Sequence, residues 1–99
     1  MNMQAIMKQA QAMQKDMVKS KKEIDAMEFV GESSLVKVTV KGTKEVVKVE
    51  INKDTELTAE ELEILEDMIV VATNNALQQV DKITEQKLGK YTSALPGLF

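Results

Sequence analysis

Leu35-Val36-Lys37-Val38-Thr39-Val40-Lys41-Gly42-Thr43-Lys44-Glu45-Val46-Val47-Lys48-Val49-Glu50-Ile51 is the stretch that decides the fold. Residues 35–40 and 46–51 alternate apolar and polar with a period of two and are rich in β-branched side chains, the pattern of half-buried strands. Between them Lys41-Gly42-Thr43-Lys44 supplies a turn glycine, so the two runs read as a hairpin. Its apolar face is expected to carry Val36, Val38, Val40, Val47, Val49 and Ile51, and its polar face Lys37, Thr39, Lys41, Lys48 and Glu50.

Working outward, Phe29-Val30-Gly31-Glu32-Ser33-Ser34 reads as a further short strand. Before it, apolar residues at Met3, Ile6, Ala10, Met13, Met17, Ile24 and Met27 recur in steps of three and four, with Ser20 filling one gap. That heptad seam predicts a helix, supported by Gln, Ala, Lys and Met and by the lack of Pro or Gly. Lys8, Lys15 and Lys22, seven apart with Lys19 beside them, form a basic stripe opposite the seam. After the hairpin, Thr58-Ala59-Glu60-Glu61 matches the capping box that opens a helix. Leu62, Leu65, Ile69, Ala72, Ala76, Val80 and Ile83 continue it as an apolar stripe ending near Gly89, a C′ candidate. The expectation is one α+β domain over residues 1–99. Helix one spans 1–27, strands fill 28–52, helix two spans 58–88 and a tail follows over 90–99, giving α-β-β-β-α with a small antiparallel three-stranded sheet.

The 99 residues contain neither His nor Cys, which removes the usual proton shuttle, the thiolate nucleophile, disulfides and Cys/His zinc sites. No catalytic residues, metal or cofactor are therefore expected. The longest stretch without a charge, residues 68–80, is too short for a bilayer span and carries Asn74, Asn75, Gln78 and Gln79. No secretion signal is read at the start, so the expected setting is soluble and cytoplasmic. Asn52-Lys53-Asp54-Thr55-Glu56 faintly resembles a calcium loop, but Leu57 stands where that loop needs Gly.

A net charge of −3 hides strong polarity along the chain: residues 1–22 carry +4, whereas residues 54–67 hold seven acids and no base. A polyanion meets the local patch rather than the total. All thirteen basic residues are Lys, so the bidentate Arg readout of guanine is absent. The two helices are too long for the short strands between them and must overhang, which leaves an apolar seam needing cover and makes a homodimer the economical assembly.

The ordered series of motifs resembles the YbaB/EbfC family of nucleoid-associated proteins. It comprises Met7-Lys8-Gln9-Ala10-Gln11, Gly31-Glu32, residues 35–42, Val49-Glu50-Ile51, Leu65-Glu66-Asp67, Ala72-Thr73-Asn74-Asn75-Ala76 and Leu95-Pro96-Gly97-Leu98. The resemblance implies a cytoplasmic, nucleoid-bound, tweezer-like homodimer that binds double-stranded DNA without catalysis, a membrane or a small-molecule substrate. Two departures are Ser33-Ser34, where glycines are common, and the missing Arg. On this reading Lys8, Lys15, Lys19 and Lys22, with Lys82, Lys87 and Lys90, contact DNA phosphates, and Met13, Met17, Ile24, Val38 and Val49 form the dimer interface. The same basic stripe also fits the solvated side of an amphipathic helix, and a protein-interaction adaptor dimer without direct DNA binding is the alternative function.

Overall fold

A computed structural model describes residues 2–54 and 56–94, with the side chains of 92–94 left out. The order is α1 (Met3–Ala26), β1 (Glu28–Ser33), β2 (Val36–Lys41), β3 (Val46–Ile51) and α2 (Ala59–Ala94). This is the expected α-β-β-β-α arrangement, with an antiparallel sheet in the order β1-β2-β3.

Local chemistry sets the helix starts. The Asn2 side chain accepts hydrogen bonds from the backbone N–H groups of Gln4 and Ala5, satisfying donors that the first turn of α1 leaves free. At α2 the capping box forms in both directions. Thr58 donates its backbone N–H to Glu61 Oε2 at 3.2 Å, and Glu61 donates its own to Thr58 Oγ1 at 3.3 Å.

The core lies between α2 and the first two strands. Phe29, Val36, Val38 and Val40 pack with Leu65, Ala72, Ala76 and Val80, all buried, and each large aliphatic or aromatic side chain so buried contributes about 1.5–3 kcal/mol. Gly31 brings β1 against the α2 backbone: a Cβ there would stand 2.0 Å from the carbonyl oxygen of Ala72. A second cluster, Ile24, Leu88 and Tyr91 with half-buried Met13, Met17 and Ile83, joins α1 to the C-terminal half of α2. These helices form an arm that projects from the sheet. The radius of gyration is 19.5 Å and the extents are 71 × 19 × 14 Å, against about 13 Å for a compact chain of this length.

Four local expectations change. Val46, which the expected apolar face left out, sits opposite Val40, because a bulge between Thr39 and Val40 adds one residue to β3. α2 does not stop at Gly89 but continues to Ala94, because Leu88 and Tyr91 on either side are buried against α1 and outweigh the glycine's weak helix propensity. The expected tail therefore begins as helix, and its residues 95–99 lie outside the described residues. Gly42 has no left-handed backbone; the positive φ values fall on Lys44, at 73°, and Ser34, at 48°. Gly42 is required instead for close approach, since a Cβ there would lie 1.8 Å from the carbonyl oxygen of Ile24.

The expected two-sided hairpin face is only half covered. Val38 and Val49 are cross-strand partners, yet Val38 is 0% exposed and Val49 45%. The core sets how α2 lies, with Leu65, Ala72, Ala76 and Val80 packed on Phe29, Val36, Val38 and Val40, and two polar contacts accompany it. Gln79 donates to the carbonyl of Val30 on β1 at 2.8 Å, and Asp81 pairs with Lys44 in the β2–β3 turn at 2.7 Å. So anchored, α2 roofs β1 and β2 and leaves β3 open.

Candidate nucleic-acid interface

On the arm apolar and basic surface lie mostly on different sides, although Val18, between Lys15 and Lys22, is 45% exposed. In α1 the seam positions Ala10, Met13, Met17, Ser20 and Ile24 are half-buried or buried, whereas Lys8, Lys15, Lys19 and Lys22 are exposed. Seven residues make almost two helical turns, which keeps Lys8, Lys15 and Lys22 on one side over about 21 Å. That length matches about six base-pair steps of a duplex. On α2, Lys82, Lys87 and Lys90 are also exposed, and the Lys90 ammonium lies 5.0 Å from the Tyr91 ring centroid, a cation–π distance.

Pairing distinguishes these lysines from the others. Lys37, Lys44 and Lys48 of the sheet region bind Glu32, Asp81 and Glu50, and Lys21 binds Asp25. Among the described residues, none of the seven lysines expected at DNA forms an ion pair. The acids of 54–67 lie elsewhere, on the loop before α2 and its first turns, where Glu60 and Glu61 meet the positive end of the helix dipole.

The five residues expected at a dimer interface are not equivalent. Ile24 and Val38 are buried within the chain itself, at 1% and 0% exposure, so neither has surface left to offer. Met13 and Met17 are half-buried against Ile24, Leu88 and Tyr91. Val49 alone stands open, together with Val46 and Val47 beside it and Val70 and Val71 on α2. Sequence reasoning passed over Val70 and Val71. Their signal was two adjacent β-branched residues lying off the apolar stripe of a helix, where intrinsic propensity disfavours them. Met3, Ile6 and Met7 are likewise exposed, at the end of α1 farthest from the sheet.

Among the described residues no group of three or more acidic side chains is placed to hold a metal, and the Asn52 side chain accepts the backbone N–H of Asp54 in a local turn. Asn74 and Asn75 are both exposed, and Asn75 accepts from Gln79, which also bonds β1. Lys48 and Glu50 form a titrating pair on β3. The Lys48 ammonium, hydrogen-bonded to Glu50, holds that carboxyl below the usual range, and Glu50 in turn raises Lys48. No helix among the described residues is long and apolar enough to cross a membrane.

The sequence profile of the YbaB/EbfC DNA-binding family matches residues 1–95. Proteins named nucleoid-associated protein from Streptococcus pneumoniae strains CGSP14 and JJA are each 47% identical to this chain over 98 residues, covering 97% of it and 98% of each relative. With the profile, the near-complete coverage and the element order in agreement, the chain belongs to the YbaB/EbfC DNA-binding family.

Proposed function

We propose that the protein is a non-enzymatic, nucleoid-associated homodimer of the bacterial cytoplasm that holds double-stranded DNA through lysine–phosphate contacts. The observation that carries this reading is the exposed set Lys8, Lys15, Lys19, Lys22, Lys82, Lys87 and Lys90 on the projecting arm, none of which forms an ion pair among the described residues. Unpaired lysines release counterions from a polyanion without first breaking an ion pair. Phosphate contacts position a protein without reading bases, and the chain has no Arg to read guanine, so sequence selectivity is weak. The family and the names of the relatives support the DNA partner and the nucleoid setting. A second copy is supported by Val46, Val47 and Val49, which are 41–47% exposed on β3, and it doubles the basic surface.

Fluorescence anisotropy on several unrelated duplexes tests this. Changing Lys15 and Lys22 together to Glu should weaken binding to all of them alike, while Lys53→Glu, beside the acidic stretch, should change little. Equal losses would mean that only overall charge matters. No loss from the double change would move the DNA site off α1, and wild-type protein that ignores duplex at low salt would favour an adaptor role.

A further inference from the structure

We propose that the segment Leu95-Pro96-Gly97-Leu98-Phe99 runs on along α1 of its own chain and covers the apolar seam at the far end of the arm, from Ala10 to Met3. The proposal depends neither on the DNA reading nor on a second copy.

The seam on α1 is longer than the helix that covers it. It runs from Met3 through Ile6, Ala10, Met13 and Met17 to Ile24. Leu88 and Tyr91 of α2 cover its inner half: Ile24 is buried, and Met13 and Met17 are half-buried against them. Beyond Met13 the cover gives out, and Ile6 is 43% and Met3 67% exposed. Both continue the covered side of the helix in steps of three and four, so they lie on the apolar side and not with the lysines. A contiguous apolar strip of this kind marks a docking surface.

Direction and length select the occupant. α1 runs toward the sheet and α2 away from it, so the chain leaving α2 heads for the start of α1. Met13 and Tyr91 are the outermost members of the cluster the two helices share. From Met13 to Met3 the seam extends about 15 Å, of which α2 between Tyr91 and Ala94 runs alongside about 4.5 Å. Residues 95–99 span up to about 17 Å when extended, enough to reach Met3 with slack for a bend.

The chemistry of the segment matches the strip. It carries three large apolar side chains and no charge. Pro96 lacks an N–H and biases Leu95 away from helical backbone, so the chain leaves the helix there, and Gly97 lets it bend onto α1. Leu98 and Phe99 then lie on Ile6 and Met3 and take that surface out of water. Lys8 and Lys15 project from the opposite side of α1, so an uncharged occupant seals the apolar side of the arm and leaves its basic side free.

Two measurements on the full chain test this. With methyl-labelled Ile and Met, nuclear Overhauser contacts should connect the Phe99 ring to the Ile6 and Met3 methyl groups, and Phe99→Ser should remove them. In a co-folded mixture of chains carrying only labelled methyls and chains carrying only protonated Phe rings, the contacts should be lost, because both groups belong to one chain. Contacts that survive in the mixture would put the segment on a second copy and overturn the proposal, as would their absence from the uniformly labelled protein. Separately, the segment should shield Met3 from oxidation to the sulfoxide by dilute peroxide. Leu98→Ser with Phe99→Ser should lose that protection, so that Met3 oxidises faster than in wild type, while Met13 and Met17, covered by α2, keep their rates and report that the arm stays folded. Equal Met3 rates in wild type and variant would overturn the proposal.

Discussion

A methyl group on Gly42 would stand 1.8 Å from the carbonyl oxygen of Ile24 and 3.0 Å from the backbone nitrogen of Asp25. The last turn of α1 thus rests directly on the β2–β3 turn, and Gly42 also donates its N–H to Met27 at 3.0 Å. The obstacle is backbone, which cannot rotate away as a side chain would. Gly42→Ala should therefore cost about 3 kcal/mol, the upper part of the overpacking range, and lower the melting temperature by roughly 12–24 °C. Thermal unfolding followed by circular dichroism checks this.

The same substitution at Gly89 should act in the opposite direction. A Cβ there meets only the Glu85 side chain, at 4.0 Å, and the residue lies inside α2. Gly89→Ala should stabilise by about 1 kcal/mol through helix propensity, visible as a higher melting temperature.

Ser34 holds φ at 48° in the two-residue turn between β1 and β2, a left-handed conformation that glycine adopts freely and other residues do not. Ser34→Gly should therefore raise stability by about 1 kcal/mol, which urea denaturation measures as a higher midpoint with an unchanged slope.

How these sites relate to the sequence shows what periodicity carries. The hairpin and the apolar stripe of α2 were legible because their apolar spacing matches the pleat and the helix, and the Thr58–Glu61 cap was legible as a motif. The basic stripe of α1 was legible too, as positions seven apart. Side-chain spacing says which residues share a face, but not what covers that face. Val38 and Val49 have the same pattern, and only the packing of α2 over β1 and β2 separates the buried one from the open one. The bulge at β3 and the backbone contact of Gly42 depend on atoms distant in sequence or on register. The continuation of α2 past Gly89 depends on the packing of Leu88 and Tyr91 on α1.

Glu50 is held below the ordinary carboxylate range by the Lys48 hydrogen bond and charge, while Lys48 is held above its ordinary value. The carboxylate's contribution to stability is thus present above its unfolded value and lost as pH falls through the lowered folded value. The ammonium's contribution is present below the ordinary lysine value and lost as pH rises through the raised one. Both groups are exposed, so the effect on stability is small and weakens with salt. Lys48→Met should raise the Glu50 titration toward the ordinary carboxylate range, with Lys37 and Lys53 still favouring the charged form, read directly by NMR titration of the side-chain carboxyl.

Salt dependence of duplex binding measures most directly whether the arm lysines hold DNA by its phosphates. If a dimer neutralises roughly five to eight phosphates, log K for a random-sequence duplex should fall against log salt with a slope of about −4.5 to −7. Changing Lys15 and Lys22 together to Glu should flatten that slope. Binding that is indifferent to salt, or no binding of wild-type protein at low salt, would contradict phosphate-mediated retention by the arm.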